Sequence, residues 1–259
     1  MCLLVIGIHC HACYKLVLAA NRDEYYDRPT GQACFWEEAP SLLAGRDLRA
    51  GGTWLGVTKK GRIAAITNFR DPASHKEGAP SRGELVSGFL KGRESPLDYL
   101  ERVDKRREAY NGFNLVLGEG ERLFWYSNRG EGPRRLGPGI YGVSNHLLDT
   151  SWPKVERGKE ALARLLASKE RPSAEAFFGM LQDRTIPPDR LLPETGIGLE
   201  WERVLSPLFI KSPYYGTRSS TVILVDQEDR VAFEERTFNG NPDEPRCVRY
   251  EFRLDPQTG

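Results

Sequence analysis

The chain has 259 residues, enough for one substantial core, with 39% apolar and 28% charged residues, an ordinary globular balance. Thirty-seven Lys and Arg stand against 36 Asp and Glu, a net charge of +1, so no global field recruits nucleic acid or an anionic membrane. No apolar run approaches the ~20 residues of a membrane helix, which argues against membrane insertion, and five unevenly spread cysteines (Cys2, Cys10, Cys13, Cys34 and Cys247) suit a reducing cytoplasm better than a disulfide framework.

Leu3 to His9 and Lys15 to Ala20 are short, apolar, β-prone runs that read as a hairpin, with the polar cluster Asn21-Arg22-Asp23-Glu24 at its far end. Residues 25–52 show little periodicity and many turn formers, so they are expected to be irregular. Thr53 to Thr58 and Arg62 to Asn68 form a second hairpin around Lys60-Gly61. Ser81, with Glu84 three residues on, has the spacing of a capping box ahead of the apolar stripe Leu85, Val86, Phe89 and Leu90. Ser95 and Pro96 start a second helix. Strands are predicted over Phe113 to Leu117, Arg122 to Tyr126 and Ile140 to Ser144. Helices are predicted from near Pro153, capped by Ser151, to about Ser168, and from Ser173 to about Leu181. Residues 185–216 are Pro-rich and irregular apart from a short helix around Glu200 to Leu205. The strands Ser219 to Val225, Arg230 to Phe238 and Val248 to Leu254 close the chain. Strand blocks alternating with paired helices suit antiparallel sheets packed face to face, helices outside, in one domain spanning residues 1–259.

Chemistry points first to Cys2. If Met1 is removed, Cys2 carries a free α-amine titrating near ~7.7–8.0, close enough to act as base for its own thiol. The competing reading is a small buried hydrophobe at a strand start. The hairpin brings residues 21–24 beside Cys2. An arginine there favours the thiolate and a carboxylate can orient the amine, although a turn with a surface ion pair explains the same residues. Asn68 and Asn145 each end a predicted strand, where a carboxamide N–H can serve an oxyanion or simply terminate the strand. Arg218 precedes an apolar strand and can bind a carboxylate or stay at the surface. His9-Cys10-His11-Ala12-Cys13 has Cys-x-x-Cys spacing but lacks the second ligand pair of a structural zinc site, so no metal is assigned.

Met1-Cys2 with an apolar strand, then Leu18-Ala19-Ala20-Asn21-Arg22-Asp23-Glu24 and Arg28-Pro29, resembles the NRDE family, which includes the eukaryotic transport and Golgi organisation 2 proteins. The resemblance continues through Gly51-Gly52-Thr53-Trp54-Leu55-Gly56, Thr67-Asn68-Phe69-Arg70, Ser81-Arg82-Gly83, Gly142-Val143-Ser144-Asn145 and Gly216-Thr217-Arg218-Ser219-Ser220-Thr221. More distantly the layout is similar to choloylglycine hydrolases and penicillin V acylases, N-terminal-nucleophile (Ntn) hydrolases. That similarity implies an α+β fold, a four-layer αββα sandwich with two mainly antiparallel sheets between helical layers. It also implies Cys2 as nucleophile, Asn68 and Asn145 near the oxyanion hole and Arg218 as the distal arginine. Those enzymes carry an Arg-Asn-x-Asp order where this chain has Asn21-Arg22-Asp23-Glu24. Arg22 and Asp23 are therefore catalytic candidates, Asn21 and Glu24 substrate-binding ones, with the assignment open by a residue.

The expected function is a hydrolase or acyltransferase acting on a linear, non-peptide amide or related small acyl substrate, with no cofactor. The alternative is a non-catalytic protein on the same scaffold that binds or carries haem or a lipid-like acyl ligand, with haem held near His9 and His11. The oligomeric state stays open.

Overall fold

The computed structural model describes residues 2–238 and 244–256. Among the described residues, thirteen strands form two wholly antiparallel sheets. The first has six strands in the order β10-β1-β2-β11-β12-β13: β10 (Gly139–Val143), β1 (Cys2–His11), β2 (Tyr14–Tyr25), β11 (Tyr215–Asp226), β12 (Arg230–Thr237) and β13 (Arg246–Arg253). The second has seven in sequence order: β3 (Thr30–Trp36), β4 (Ala39–Asp47), β5 (Leu55–Thr58), β6 (Arg62–Asn68), β7 (Phe113–Glu119), β8 (Arg122–Ser127) and β9 (Arg134–Leu136).

Strand alternation builds two cores from one strand. Leu4, Ile6 and Ile8 of β1 and Leu16 and Leu18 of β2 point between the sheets, toward Val57, Ile63, Ala65 and Val116. Leu3 and Val5, with Val17 and Ala19, point the other way, onto α3 (Pro153–Leu166) and α4 (Ala174–Leu181). The helices α1 (Gly83–Lys91) and α2 (Pro96–Asp104) cover the opposite face of the second sheet, α1 against β4 to β6 and α2 against β7 and β8. The result is the expected four-layer αββα sandwich. A short helix, α5 (Leu199–Leu205), lies in the Pro-rich stretch before β11.

Several local expectations need correction. The stretch 25–52 is not irregular. It contains β3 and β4, whose period is hidden by register shifts at Gly31/Cys34 and Phe35/Trp36. Ser81 does not cap α1. Arg82 stands at that position with no side-chain cap, and Thr53 N–H donates to the Gly83 carbonyl, drawing the helix start onto the 52–53 backbone. Trp152, not Ser151, precedes α3. Ser95 and Ser173 do cap, accepting from the N–H groups of Asp98 and Ala176.

Candidate active site

The β1–β2–β11 register assembles the polar strand ends. Cys2 pairs with Arg22, and Arg22 pairs with Ser219. Alternation places Cys2 and Arg22 on the inter-sheet side, with Leu4 and Leu18. Asn21 and Asp23 face the helices instead.

Cys2 is half-buried. Its sulfur borders a cavity of about 10 Å³ with Arg22, Trp54, Thr67 and Thr221, room for one water rather than for an acyl chain. Burial raises the thiol pKa, the Asp23 charge adds to the rise, and the Arg22 charge and a hydrogen bond from the Asp23 backbone oppose it. The Arg22 guanidinium lies 4.3 Å from the centre of the Trp54 ring and donates to Thr30 Oγ1 at 3.4 Å. Glu24 sits 3.8 Å from Arg22 and 3.7 Å from Arg28, and its side chain remains partly exposed.

Asp23 is 1% exposed. It accepts from Thr217 Oγ1 at 2.7 Å, and its other oxygen lies 3.7 Å from Lys154 Nζ. Burial raises the carboxyl pKa and lowers that of the ammonium, and each charge restrains the other's shift. Behind the pair, Arg70 donates to Glu202 at 2.5 Å, and Glu202 accepts from Thr195. Tyr215 is buried at the start of β11. Burial, with the Asp23, Cys2 and Glu24 charges, holds its phenol pKa well above the ordinary value, so it stays a neutral donor. Arg82 is half-buried at the start of α1, donates to the Gly112 carbonyl, and feels the charges of Cys2, Glu24 and Arg28.

The two sheets are tied together at this end. Ser144 Oγ donates to the Cys2 carbonyl at 2.9 Å, and Thr67 Oγ1 donates to the Ser144 carbonyl. Asn145 Nδ2 donates to the Asn68 carbonyl at 2.8 Å, and Asn114 donates to Thr67 and to the His146 carbonyl.

The predicted site residues therefore divide. Cys2, Arg22, Asp23 and Glu24 converge, and the Asn68–Asn145 tether borders them. Asn21, expected to contact substrate, is fully buried on the helix side. Its amide donates to the Leu181 and Leu208 carbonyls and its oxygen accepts from Ser220, so it anchors α4 and leaves nothing for a substrate. Arg218 lies at a bulge in β11 and donates through one nitrogen to the carbonyls of Tyr25, Tyr26 and Arg28, which makes it a clasp on the 25–28 turn.

Sequence reasoning missed Lys154, Arg82, Arg70 and Tyr215. Lys154 had a signal. It stands four residues before Gly158 and eight before Leu162, on the stripe of α3 that faces the sheet, where a charge has no ordinary reason to be.

At the opposite end of β1, a register shift between Ile8 and His11 leads into the hairpin turn at Ala12 and Cys13. His11 Nδ1 accepts from the Cys13 N–H, Cys10 Sγ donates to the Ile8 carbonyl, and His9 approaches Glu121. Among the described residues, no three His, Cys, Asp or Glu side chains converge as metal ligands. A groove of about 940 Å³ lies on the helix-side face of β11 to β13, lined by Tyr14, Arg171 and Asp226, toward the end of β11 away from Cys2. No helix among the described residues is long and apolar enough to cross a membrane.

A family model described as "Transport and Golgi organisation 2" matches residues 1–240. The chain is 38% identical over 258 residues to the transport and Golgi organization protein 2 homolog of Bos taurus, covering 93% of each. It is 37% identical over 240 residues to the Homo sapiens homolog, covering 86% of this chain and 87% of that one. Among solved structures it is similar to the Caenorhabditis elegans N-acylethanolamine-hydrolyzing acid amidase ortholog (TM-score 0.50, 10% identity, 94% of each chain). It is also similar to the C2A mutant of the conjugated bile acid hydrolase from Clostridium perfringens (TM-score 0.50, 9% identity, 98% of this chain and 97% of that one). The sandwich is therefore the fold that those two structures share.

Proposed function

The chain belongs to the transport and Golgi organisation 2 family, and from that premise we propose that it is a hydrolase or acyltransferase with Cys2 as nucleophile, acting on a linear, non-peptide amide or related acyl compound. One observation carries the reading: the cross-strand pairing of Cys2 with Arg22 sets the thiol beside Arg22 at the sheet end, within electrostatic reach of Asp23 and Arg82. That the solved structures sharing the fold include an acid amidase and a conjugated bile acid hydrolase, by their titles, supports the reaction class.

The chemistry requires Cys2 to be the first residue. Its α-amine takes the thiol proton, and the thiolate attacks the acyl carbon. Asn68 supports the oxyanion, with Asn145 fixing the Asn68 main chain rather than donating itself. The ammonium returns its proton to the leaving amine as the C–N bond breaks, and water or another acceptor then cleaves the thioester. The small cavity bordering the sulfur has no room for an acyl chain, so substrate approaches from the strand ends. There Tyr215 is flanked by the half-exposed rings of Tyr25 and Trp201, apolar surface suited to an acyl group. All five cysteines are free and Cys34 and Cys247 are exposed, which suits a cytoplasmic setting.

Incubation of the purified chain with a panel of N-acyl amides and acyl esters tests the proposal. A covalent acyl group on Cys2 by peptide mass, absent in Cys2→Ala, is the expected result. No acylation from any member of the panel rejects it.

A further inference from the structure

Lys154 is in the wrong place for an ordinary lysine. Its side chain is 3% exposed, and the Asp23 side chain 0%. It occupies the first turn of α3, where the helix dipole presents positive charge and disfavours a cation. Burying an ammonium costs several kcal/mol, against which stand one ion pair at 3.7 Å and a 3.2 Å hydrogen bond to the Leu205 carbonyl. An apolar side chain would fit the stripe formed by Val155, Leu162 and Leu166 better. A residue kept against burial, dipole and pattern at once, beside the nucleophile, points to the site rather than to the fold.

We propose that Lys154 is a positioning residue that keeps Asp23 ionised, so that the Asp23 carboxylate can hold the α-amine of Cys2 in line with its thiol. The inference rests on the reading of Cys2 as an N-terminal nucleophile. The register supplies the placement. Asp23 is the next residue after Arg22, the partner of Cys2, so its carboxylate stands on the side from which the Cys2 nitrogen enters the strand. Around Asp23, β11 contributes the Thr217 hydroxyl and the Tyr215 phenol, β1 contributes the Cys2 thiol, and Tyr26 lies within electrostatic reach. Arg70 also faces it but is bound to Glu202. Lys154 stands at ion-pair distance, 3.7 Å from the Asp23 carboxylate. During acylation the thiol proton moves to the amine, the sulfur–carbon bond forms, and the leaving group departs with the electron pair. Asp23 accepts a hydrogen bond from the resulting ammonium and exchanges no proton.

Two measurements on Lys154→Met and Lys154→Arg test this. The first follows acylation of Cys2 by 4-nitrophenyl butanoate from pH 5 to 9, read as nitrophenolate release and as mass added to the Cys2 peptide. Lys154→Met is expected to react at least about 10-fold more slowly at pH 7, with its acidic limb displaced upward by about 1–3 pH units. Its resistance to urea should equal or exceed that of wild type, and Lys154→Arg should restore most of the rate. A wild-type limb, or an equal loss at every pH accompanied by a fall in stability, overturns the proposal. The second follows the Asp23 carboxyl carbon by ¹³C NMR, assigned through Asp23→Asn, and does not depend on any activity. Ionisation near neutral pH in wild type and protonation in Lys154→Met support the proposal, while a carboxyl unchanged by the substitution, or protonated throughout in wild type, overturns it. Failure of wild-type Cys2 to acylate, with the NMR result as expected, rejects the nucleophile reading and leaves the Lys154–Asp23 linkage standing.

Discussion

The two ends of β1 carry the same chemical vocabulary and use it differently. At the turn, Cys10, His11 and Cys13 satisfy themselves within two residues along the chain, and removing any one disturbs only the turn. At the Cys2 end, Asp23 is buried with partners far along the chain, Lys154 and Thr217, and the Cys2 carbonyl is held by Ser144, 142 residues away. Burying polar groups is costly unless they are satisfied, so a network of this range and depth needs a reason beyond local stability. Cysteines near histidines advertise a site in sequence, yet here the quieter cysteine, followed by an apolar run, holds the constellation.

The sharpest way to break this contrast is to remove each cysteine in turn. Cys2→Ala should abolish turnover of any accepted acyl substrate, a loss of more than about 10⁴-fold. Cys10→Ser and Cys13→Ser should stay within about 2-fold, because a turn thiol away from the site supplies none of its chemistry. Steady-state assays on the three variants decide it. Asp23→Asn comes next, with an expected loss of about 10²–10⁴-fold in acylation rate, since an amide no longer holds an ammonium as a carboxylate does. Arg218→Ala probes the same end through stability. The Tyr25, Tyr26 and Arg28 carbonyls lose their shared donor, and urea unfolding should register about 2–3 kcal/mol.

Glu235 gives a pH signature. It is 1% exposed, accepts from the Ala33 N–H and the Thr221 hydroxyl, and burial raises its pKa to about 7. Its folded-state pKa lies above the ordinary carboxyl value. The folded chain therefore holds a proton that the unfolded chain has released, and stability falls as pH rises from about 4.5 through about 7. Glu235→Gln should match wild type near pH 4 and exceed it by about 1–3 kcal/mol at pH 8, measured by denaturant unfolding. His11→Ala is the smallest change, about 0.5–1.5 kcal/mol for one hydrogen bond in the turn, with the Cys2 acylation rate unaltered.

The β1–β2 hairpin was legible because its apolar runs alternate cleanly, and with it the adjacency of Cys2 to residues 21–24. The same alternation held the direction of Asn21, which the sequence reading did not use when it set Asn21 against substrate: it pairs with Leu3, which faces the helices, while Cys2 and Arg22 face the other sheet. Strands β3 and β4 escaped because two register shifts interrupt their period. The bulge that turns Arg218 toward the 25–28 carbonyls leaves no trace in a single sequence. Arg82 and Lys154 reach the site from distant parts of the sequence, and only the misplaced charge on the α3 stripe announced one of them.

Intact-mass and peptide analysis of protein isolated from its own host, after exposure to 4-nitrophenyl butanoate, bears most directly on Cys2. A generic thiol reagent would also mark the exposed Cys34 and Cys247, whereas an ester requires a site that activates both nucleophile and carbonyl. The expected spectrum shows a chain lacking Met1 and carrying one butanoyl group on Cys2. A chain that retains Met1, or an acyl group found only on other residues, contradicts the assignment.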